Sequence, residues 1–313
     1  MSNNIIVDGH CDTIKTILDE NINLENRTLG FNLIDAWNNR PVIQNVAAFV
    51  NPIFKSRFER TRKIIENYNK EIEKYPNKII KILNSTDIEK VREDNKIGLL
   101  LSIENGSAIE DNLENIDYFY NNGVRLMSIT WNEDNLLGCG ALTNNDTGLT
   151  SLGKEYVKKL NEKNIIIDIS HASPKTFWDT IKISNKPIVA THSCSFSICN
   201  HPRNLTDDQI KILAKNGGII GVCFANAFLS NSKNVEIKDI VKHIKHIVNL
   251  VGIDFVGLGS DFEGLEKEEL PLGLKGIKDI KKLKQELRKE KFKEEEIDKI
   301  MGENWVKVLK KQI

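Results

Sequence analysis

The segment Ile165-Ile-Ile-Asp-Ile-Ser-His-Ala-Ser-Pro-Lys-Thr-Phe-Trp-Asp-Thr-Ile-Lys-Ile-Ser-Asn-Lys-Pro-Ile-Val-Ala-Thr-His192 carries a strand, a helix and a second strand in a single pass. Ile165–Ile169 and Pro187–Thr191 are short, nearly continuous apolar runs. Runs of that length without polar alternation are what parallel strands look like when both faces are buried. Between them, Ser173 supplies an N-cap and Pro174 occupies the first helical position, so a helix is predicted over Ser173–Ile183. Each strand runs straight into a histidine, His171 after the first and His192 after the second.

Working outward, the same pattern repeats. Ile5–Val7, Val42–Val50, Ile97–Ile103, Val124–Thr130, Gly218–Phe224 and Asp254–Gly259 are further apolar runs, which makes eight in all. Amphipathic segments separate most of them, including Ser151–Lys163, Thr206–Asn216, Ile237–Leu250 and Ile277–Glu290. Eight alternations of strand and helix imply a closed (β/α)8 TIM barrel, an α/β fold that one domain of this length can fill. Helical insertions are expected at about residues 51–96, over Lys55–Tyr75 and near Thr86–Asp94, and a C-terminal helical pair around Met301-Gly302. With no repeat and no low-complexity linker, residues 1–313 read as one domain.

Composition narrows the function. Lys plus Arg and Asp plus Glu are 44 each, so the net charge is zero. That argues against nucleic-acid binding, which needs a positive field to displace counterions, and against a polybasic membrane surface. No apolar stretch is long enough for a membrane helix, and Met-Ser-Asn-Asn before Ile5 resembles no signal peptide. Five cysteines without a C-x-x-C pair suit free thiols in a reducing cytoplasm. Cys194 and Cys199 are close enough to pair, although a free Cys is commonly a small buried hydrophobe. Gly257-Leu-Gly-Ser-Asp261 lacks the third glycine of a dinucleotide fingerprint. His243 and His246, flanked by Lys242 and Lys245 on a predicted helix, read as surface residues.

In a barrel of this kind the active site lies at the C-terminal ends of the strands. There the sequence places His10, Asp12, Glu104, His171, His192 and Asp261. Each alone has an ordinary explanation as a hydrogen-bonded structural residue or a helix cap. Six such groups at one end of one barrel are harder to explain that way. Imidazoles and carboxylates together suit Zn2+ or a similar transition metal. The set is too large for one tetrahedral zinc and about right for two metals sharing a bridging carboxylate and a water. His10 and Asp12, two residues apart, are expected to point the same way, with Cys11 facing packing on the other side. Arg203, in the loop after His192, is a plausible site residue, its ordinary alternative being a surface ion pair.

The chain resembles the membrane (renal-type) dipeptidases, the M19 peptidases of the metal-dependent hydrolase barrels. The resemblance rests on Asp8-Gly-His-Cys-Asp-Thr13, Ser102-Ile-Glu-Asn-Gly106, Asp168-Ile-Ser-His-Ala-Ser173, Thr191-His-Ser193, Asn200-His-Pro-Arg-Asn204, Val256-Gly-Leu-Gly-Ser-Asp-Phe262 and Gly302-Glu-Asn304, in family order. It implies a dipeptidase using two Zn2+ ions: His10 and Asp12 on one, His171 and His192 on the other, and Glu104 bridging both along with a hydroxide. It further implies that Arg203 holds the substrate carboxylate and that Asp261 shuttles the proton. The partner implied is a small dipeptide, within a soluble chain that forms a homodimer. One position departs: where the family has Leu-Thr-His after the fourth strand, this chain reads Ile129-Thr-Trp131, so Trp131 replaces a histidine that contacts the substrate. Indole donates one hydrogen bond and takes up no proton, which implies altered specificity or slower turnover of standard dipeptides. Hydrolysis of another amide, a lactam or a lactone, and a catalytically silent barrel, are the competing expectations.

Overall fold

All eight apolar runs form parallel strands, and a ninth, short strand joins them. The computed structural model describes residues 4–313. The strands are β1 (Ile6–Asp8), β2 (Val42–Phe49), β3 (Ile79–Lys81), β4 (Ile97–Glu104), β5 (Val124–Ser128), β6 (Ile166–Asp168), β7 (Ile188–Ser193), β8 (Ile220–Cys223) and β9 (Val256–Gly259). The ring runs β1-β2-β4-β5-β6-β7-β8-β9 and closes where β9 pairs back to β1 at Asp8 and Leu258. This is a closed eight-stranded parallel barrel with surrounding helices, a (β/α)8 TIM barrel. β3 pairs only with the first residues of β4 and lies outside the ring. It falls in the β2–β4 connection, between the helices Arg57–Ile72 and Ser85–Glu93.

Apolar side chains pack in two layers. Inside the ring lie Val7, Ile43, Leu100, Leu126, Ile166 and Val189; a larger cluster fills the space between strands and helices. Local signals fix the helix starts. Ser173 Oγ accepts from Thr176 N (3.1 Å), and Thr206 and Gln209 form a reciprocal capping box. Each cap contributes about 1 kcal/mol.

The C-terminal helical extension closes the barrel floor. Its two helices, Glu294–Asp298 and Asn304–Gln312, are joined by a π-helical turn at Lys299–Glu303 that contains Met301-Gly302. Asn304 Nδ2 donates to the carbonyls of Ile253 (2.7 Å) and Val256 (2.8 Å). Trp305 enters the ring and donates from its indole to Leu258 O (2.9 Å). Gly9 and Gly257 make room for it, since a Cβ at either would stand 2.5 or 2.6 Å from a Trp305 ring atom. The floor is thereby filled, and the opposite end is left for chemistry.

Candidate metal centre

Residues just past β1, β6 and β9, the last residue of β4 and a residue near the end of β7 converge at this open end. β1 stops at Asp8, and the chain continues through an extended bridge between Cys11 and Phe262. Asp12 N donates to Phe262 O (2.8 Å) and Cys11 N to Asn45 O (3.0 Å). This register turns His10 and Asp12 toward each other, with His10 Nε2 3.7 Å from Asp12 Oδ2, while Cys11 is fully buried. β4 ends on Glu104, whose two oxygens face different ways. Oε2 lies 3.4 Å from His10 Nε2, and Oε1 lies 2.8 Å from His171 Nε2 and 3.8 Å from His192 Nε2. Asp261 Oδ1 completes the group 3.9 Å from His10 Nε2. All six residues are buried.

Backbone strain collects here. His171 (φ 70°), Asp261 (φ 63°) and Asn105 (φ 74°) adopt left-handed conformations that cost non-glycine residues about 1–3 kcal/mol each. The surroundings hold them: His171 O accepts from Ala141 N (2.7 Å) and Thr130 Oγ1 (3.2 Å), and Asp261 N donates to His10 O (3.1 Å). Such conformations persist where a side chain must be aimed at one point.

The donor set fits a divalent metal. Two groups of three, His10–Asp12–Glu104 and Glu104–His171–His192, each bring ligand atoms within 4.8 Å of one another and share Glu104. Among the described residues, His10 Nδ1, His10 Nε2 and Asp12 Oδ1 are buried without a hydrogen-bond partner. Left to themselves, the buried groups shift in different directions. Against its burial, His10 and His171 hold Glu104 below the usual carboxylate range, and burial with the neighbouring His10 lowers His192 well below its usual value. Burial opposes a charge on His10, but Glu104 and Asp12 beside it raise its pKa well above the usual value. Burial and Glu104 raise Asp12, and burial with the neighbouring carboxylates pushes Asp261 to about 8. His171 is lowered to about 3 by burial and by Arg203, so it stays a neutral donor. Three carboxylates clustered out of water with too little positive charge are what a bound divalent cation relieves. Asp168, near His10 and His192, is otherwise engaged: it accepts from Ser170 N (2.9 Å), Thr191 N (2.9 Å) and Thr191 Oγ1 (2.5 Å).

A cavity of about 200 Å³ opens over the cluster, with Glu104, Trp131, His171, Arg203 and Asp261 in its wall. Arg203 is only 4% exposed, yet among the described residues none of its guanidinium nitrogens has a hydrogen-bond partner. The guanidinium lies 5.2 Å from the centre of the Phe228 ring. Trp131 packs on Phe49 (centroids 5.3 Å apart) and faces the His171 ring at 6.1 Å. The structure thus brings together all eight residues singled out in the sequence: six in the cluster, and Arg203 and Trp131 in the cavity wall.

The sequence model of the membrane dipeptidase family (peptidase family M19) matches residues 1–313. The chain belongs to this family. The uncharacterized protein in the pqqA 5' region of Klebsiella pneumoniae is 35% identical over 238 residues, 73% of this chain and 87% of that one. An amidohydrolase from Pseudomonas aeruginosa has the same fold at 29% identity (TM-score 0.85), covering 98% of this chain and 96% of its own. A metallo peptidase from Rhodobacter sphaeroides, liganded with a phosphinate mimic of the dipeptide L-Ala-D-Ala, superposes at TM-score 0.90 and 23% identity, covering 98% and 99% of the two chains. At that identity the likeness is one of fold.

Three polar residues near the centre had no assigned part in the sequence reading. Asn132 Oδ1 lies 2.8 Å from His171 Nδ1, Thr191 Oγ1 lies 2.8 Å from His192 Nδ1, and Asp8 accepts from Ser260 N (2.7 Å) across the β1–β9 seam. All three flank site residues, which was the available signal. One reading is corrected. His243 is buried, not a surface residue: its Nδ1 accepts from Ser195 N (3.0 Å) and its Nε2 donates to Leu229 O (3.0 Å). His246 is half-buried and pairs with Asp207 at 2.8 Å. Cys194 and Cys199 are not bonded to each other, and all five cysteines are free and buried. Among the described residues no helix is long and apolar enough to cross a membrane.

Proposed function

We propose that this protein is a metallo-dipeptidase that hydrolyses the peptide bond of dipeptides, holding two divalent cations, zinc by donor chemistry, with His10 and Asp12 on one side, His171 and His192 on the other, and Glu104 shared. The observation that carries the substrate class is Arg203. A buried guanidinium without a partner is costly to keep, and its planar fork matches a carboxylate. It faces the same cavity as Glu104, His171 and Asp261, so a carboxylate held there sets the adjoining peptide bond beside the cluster. A free C-terminal carboxylate that close to the scissile bond selects dipeptides over longer chains.

Cations bound at these ligands supply Lewis acidity to the carbonyl and lower the pKa of a water toward neutrality. The remaining work falls to the chain. Arg203 fixes the substrate by its carboxylate, and positioning of this kind accounts for much of the rate gain. Asp261 accepts a proton from the attacking water and returns it to the departing amine, so water adds across the C–N bond and a carboxylate and an amine leave. Trp131 and Phe49 give the cavity an apolar wall where a proton-bearing histidine is the family pattern. That supports activity with altered specificity.

The test is a panel of dipeptides, including some with a C-terminal D-residue, with dipeptide amides, lactams and lactones alongside. Dipeptide turnover that a chelator abolishes and zinc restores is the expected result. Turnover of lactams or lactones without dipeptides would shift the substrate class, and no turnover at full metal occupancy would point to a silent barrel.

A further inference from the structure

The three histidines of the centre differ in what holds the ring nitrogen that faces away from it. Thr191 Oγ1 stands between Asp168 Oδ2 (2.5 Å) and His192 Nδ1 (2.8 Å). Thr191 Oγ1 donates its hydrogen to Asp168 Oδ2, which also stands beside the carboxylate oxygen that accepts from Ser170 N and Thr191 N. The hydroxyl oxygen is then an acceptor toward the ring, which places the hydrogen of His192 on Nδ1 and leaves Nε2 bare. Asn132 presents Oδ1 to His171 Nδ1 at 2.8 Å and has the same effect on that ring. The two bare Nε2 atoms are 2.8 Å apart, and Glu104 Oε1 is also 2.8 Å from His171 Nε2. Three lone-pair-bearing atoms converge without a proton among them. His10 differs: its ring is packed against that of His192 (centroids 3.9 Å apart), but among the described residues its Nδ1 is buried without a partner, so no hydrogen bond behind the ring selects its tautomer.

We propose that Asn132 and the Thr191–Asp168 pair are positioning residues that lock His171 and His192 as Nε2 donors, making the Glu104–His171–His192 half of the centre the tight site, filled before the His10–Asp12 half. This rests on the two-cation reading above. Groups behind a metal ligand fix its tautomer and raise its basicity, and their loss typically weakens metal binding about 10–100-fold.

The experiment is a Co2+ titration of the full, chelator-stripped chain, followed by ligand-field absorption and by calorimetry. Two unequal binding steps are expected. Asn132→Leu and Thr191→Val should each weaken the tighter step by about 10–100-fold, while Asn132→Asp and Thr191→Ser, which keep an acceptor for Nδ1, should bind within a few-fold of the parent. His10→Asn should keep the tight step and lose the weak one. Thermal unfolding of the metal-free variants separates a purely structural role, which would lower stability and leave cobalt affinity alone. Unchanged affinity in both Asn132→Leu and Thr191→Val, or loss of the tight step in His10→Asn, overturns the proposal while leaving the metal centre itself intact. No cobalt bound by the parent chain overturns the metal reading, and the proposal with it.

Discussion

Replacing Arg203 with methionine should move activity and stability in opposite directions. Arg203 is 4% exposed, its three guanidinium nitrogens lack hydrogen-bond partners among the described residues, and burial lowers its pKa. The side chain therefore bears the desolvation of a charge with only a Phe228 ring at 5.2 Å and the attraction of Asp261 and Glu104 as compensation. In the metal-loaded protein that attraction is weakened, because cations already neutralise those carboxylates. A methionine of similar length keeps the packing and removes the charge, for a gain of about 2 kcal/mol in the substrate-free protein. For a chain of this length that raises Tm by about 3 °C. The same change removes a two-pronged charge-assisted contact with the substrate, costing about 3 kcal/mol of transition-state stabilisation, or roughly a hundredfold in kcat/KM for dipeptides. Dipeptide amides, which lack the carboxylate, should lose far less. Differential scanning calorimetry of the zinc-loaded variant, with kinetics on matched dipeptide and dipeptide-amide pairs, gives both readings. A lower Tm, or an equal loss on acids and amides, would show that Arg203 serves the fold and not the substrate.

Two further outcomes follow from other residues. Burial brings His243 down to about 4 in the folded protein against 6.5 when free, outweighing the Leu229 carbonyl, which favours the charged ring. The unfolded chain therefore binds more protons between those values, and this contribution, present in full above pH 6.5, falls away on acidification by about 3 kcal/mol in all; urea unfolding from pH 7.5 to 4.5 should show a shallower loss in His243→Gln, and identical slopes would remove His243 from the account. At the cavity wall, Trp131→His should speed turnover of common dipeptides in steady-state assays, and an unchanged kcat/KM would count against Trp131 as a specificity residue.

The parallel strands were readable because a strand buried on both faces must be nearly all apolar, as Ile165–Ile169, broken only by Asp168, and Gly218–Phe224 are. The ends of those strands then carried the site, since each candidate ligand comes shortly after the end of an apolar run. β3 was not readable: Ile79-Ile-Lys81 is three residues in a charged region, and its pairing with the start of β4 is tertiary. The short helix Thr13–Asp19, which has no side-chain cap, was missed for a similar reason. His243 was misread although the signal existed. Helical spacing puts it on the face of Ile240, Ile244 and Ile247, all buried, and the neighbouring lysines drew the reading outward. The place of Asn132 beside Trp131 marked it as near the site, but its part could not be read further, because it depends on a loop carrying its amide to the far side of a ring anchored on a different strand.

The seam between β1 and β9 has a consequence for how the protein is made. Gly9 N bonds to Leu258 O (2.8 Å), Ser260 N to Asp8 Oδ1 (2.7 Å), and Asp261 N to His10 O (3.1 Å). These partners are some 250 residues apart in sequence. A growing chain emerging from the ribosome at about 5–20 residues per second carries His10 and Asp12 for on the order of half a minute before Asp261 exists. Trp305, which fills the ring beneath them, comes later still. During that interval His10 and Asp12 have no ring to hold them in place. On the two-cation reading proposed above, the centre takes up a cation only once the ring has closed, so metal content measured on release of the chain should lag behind synthesis.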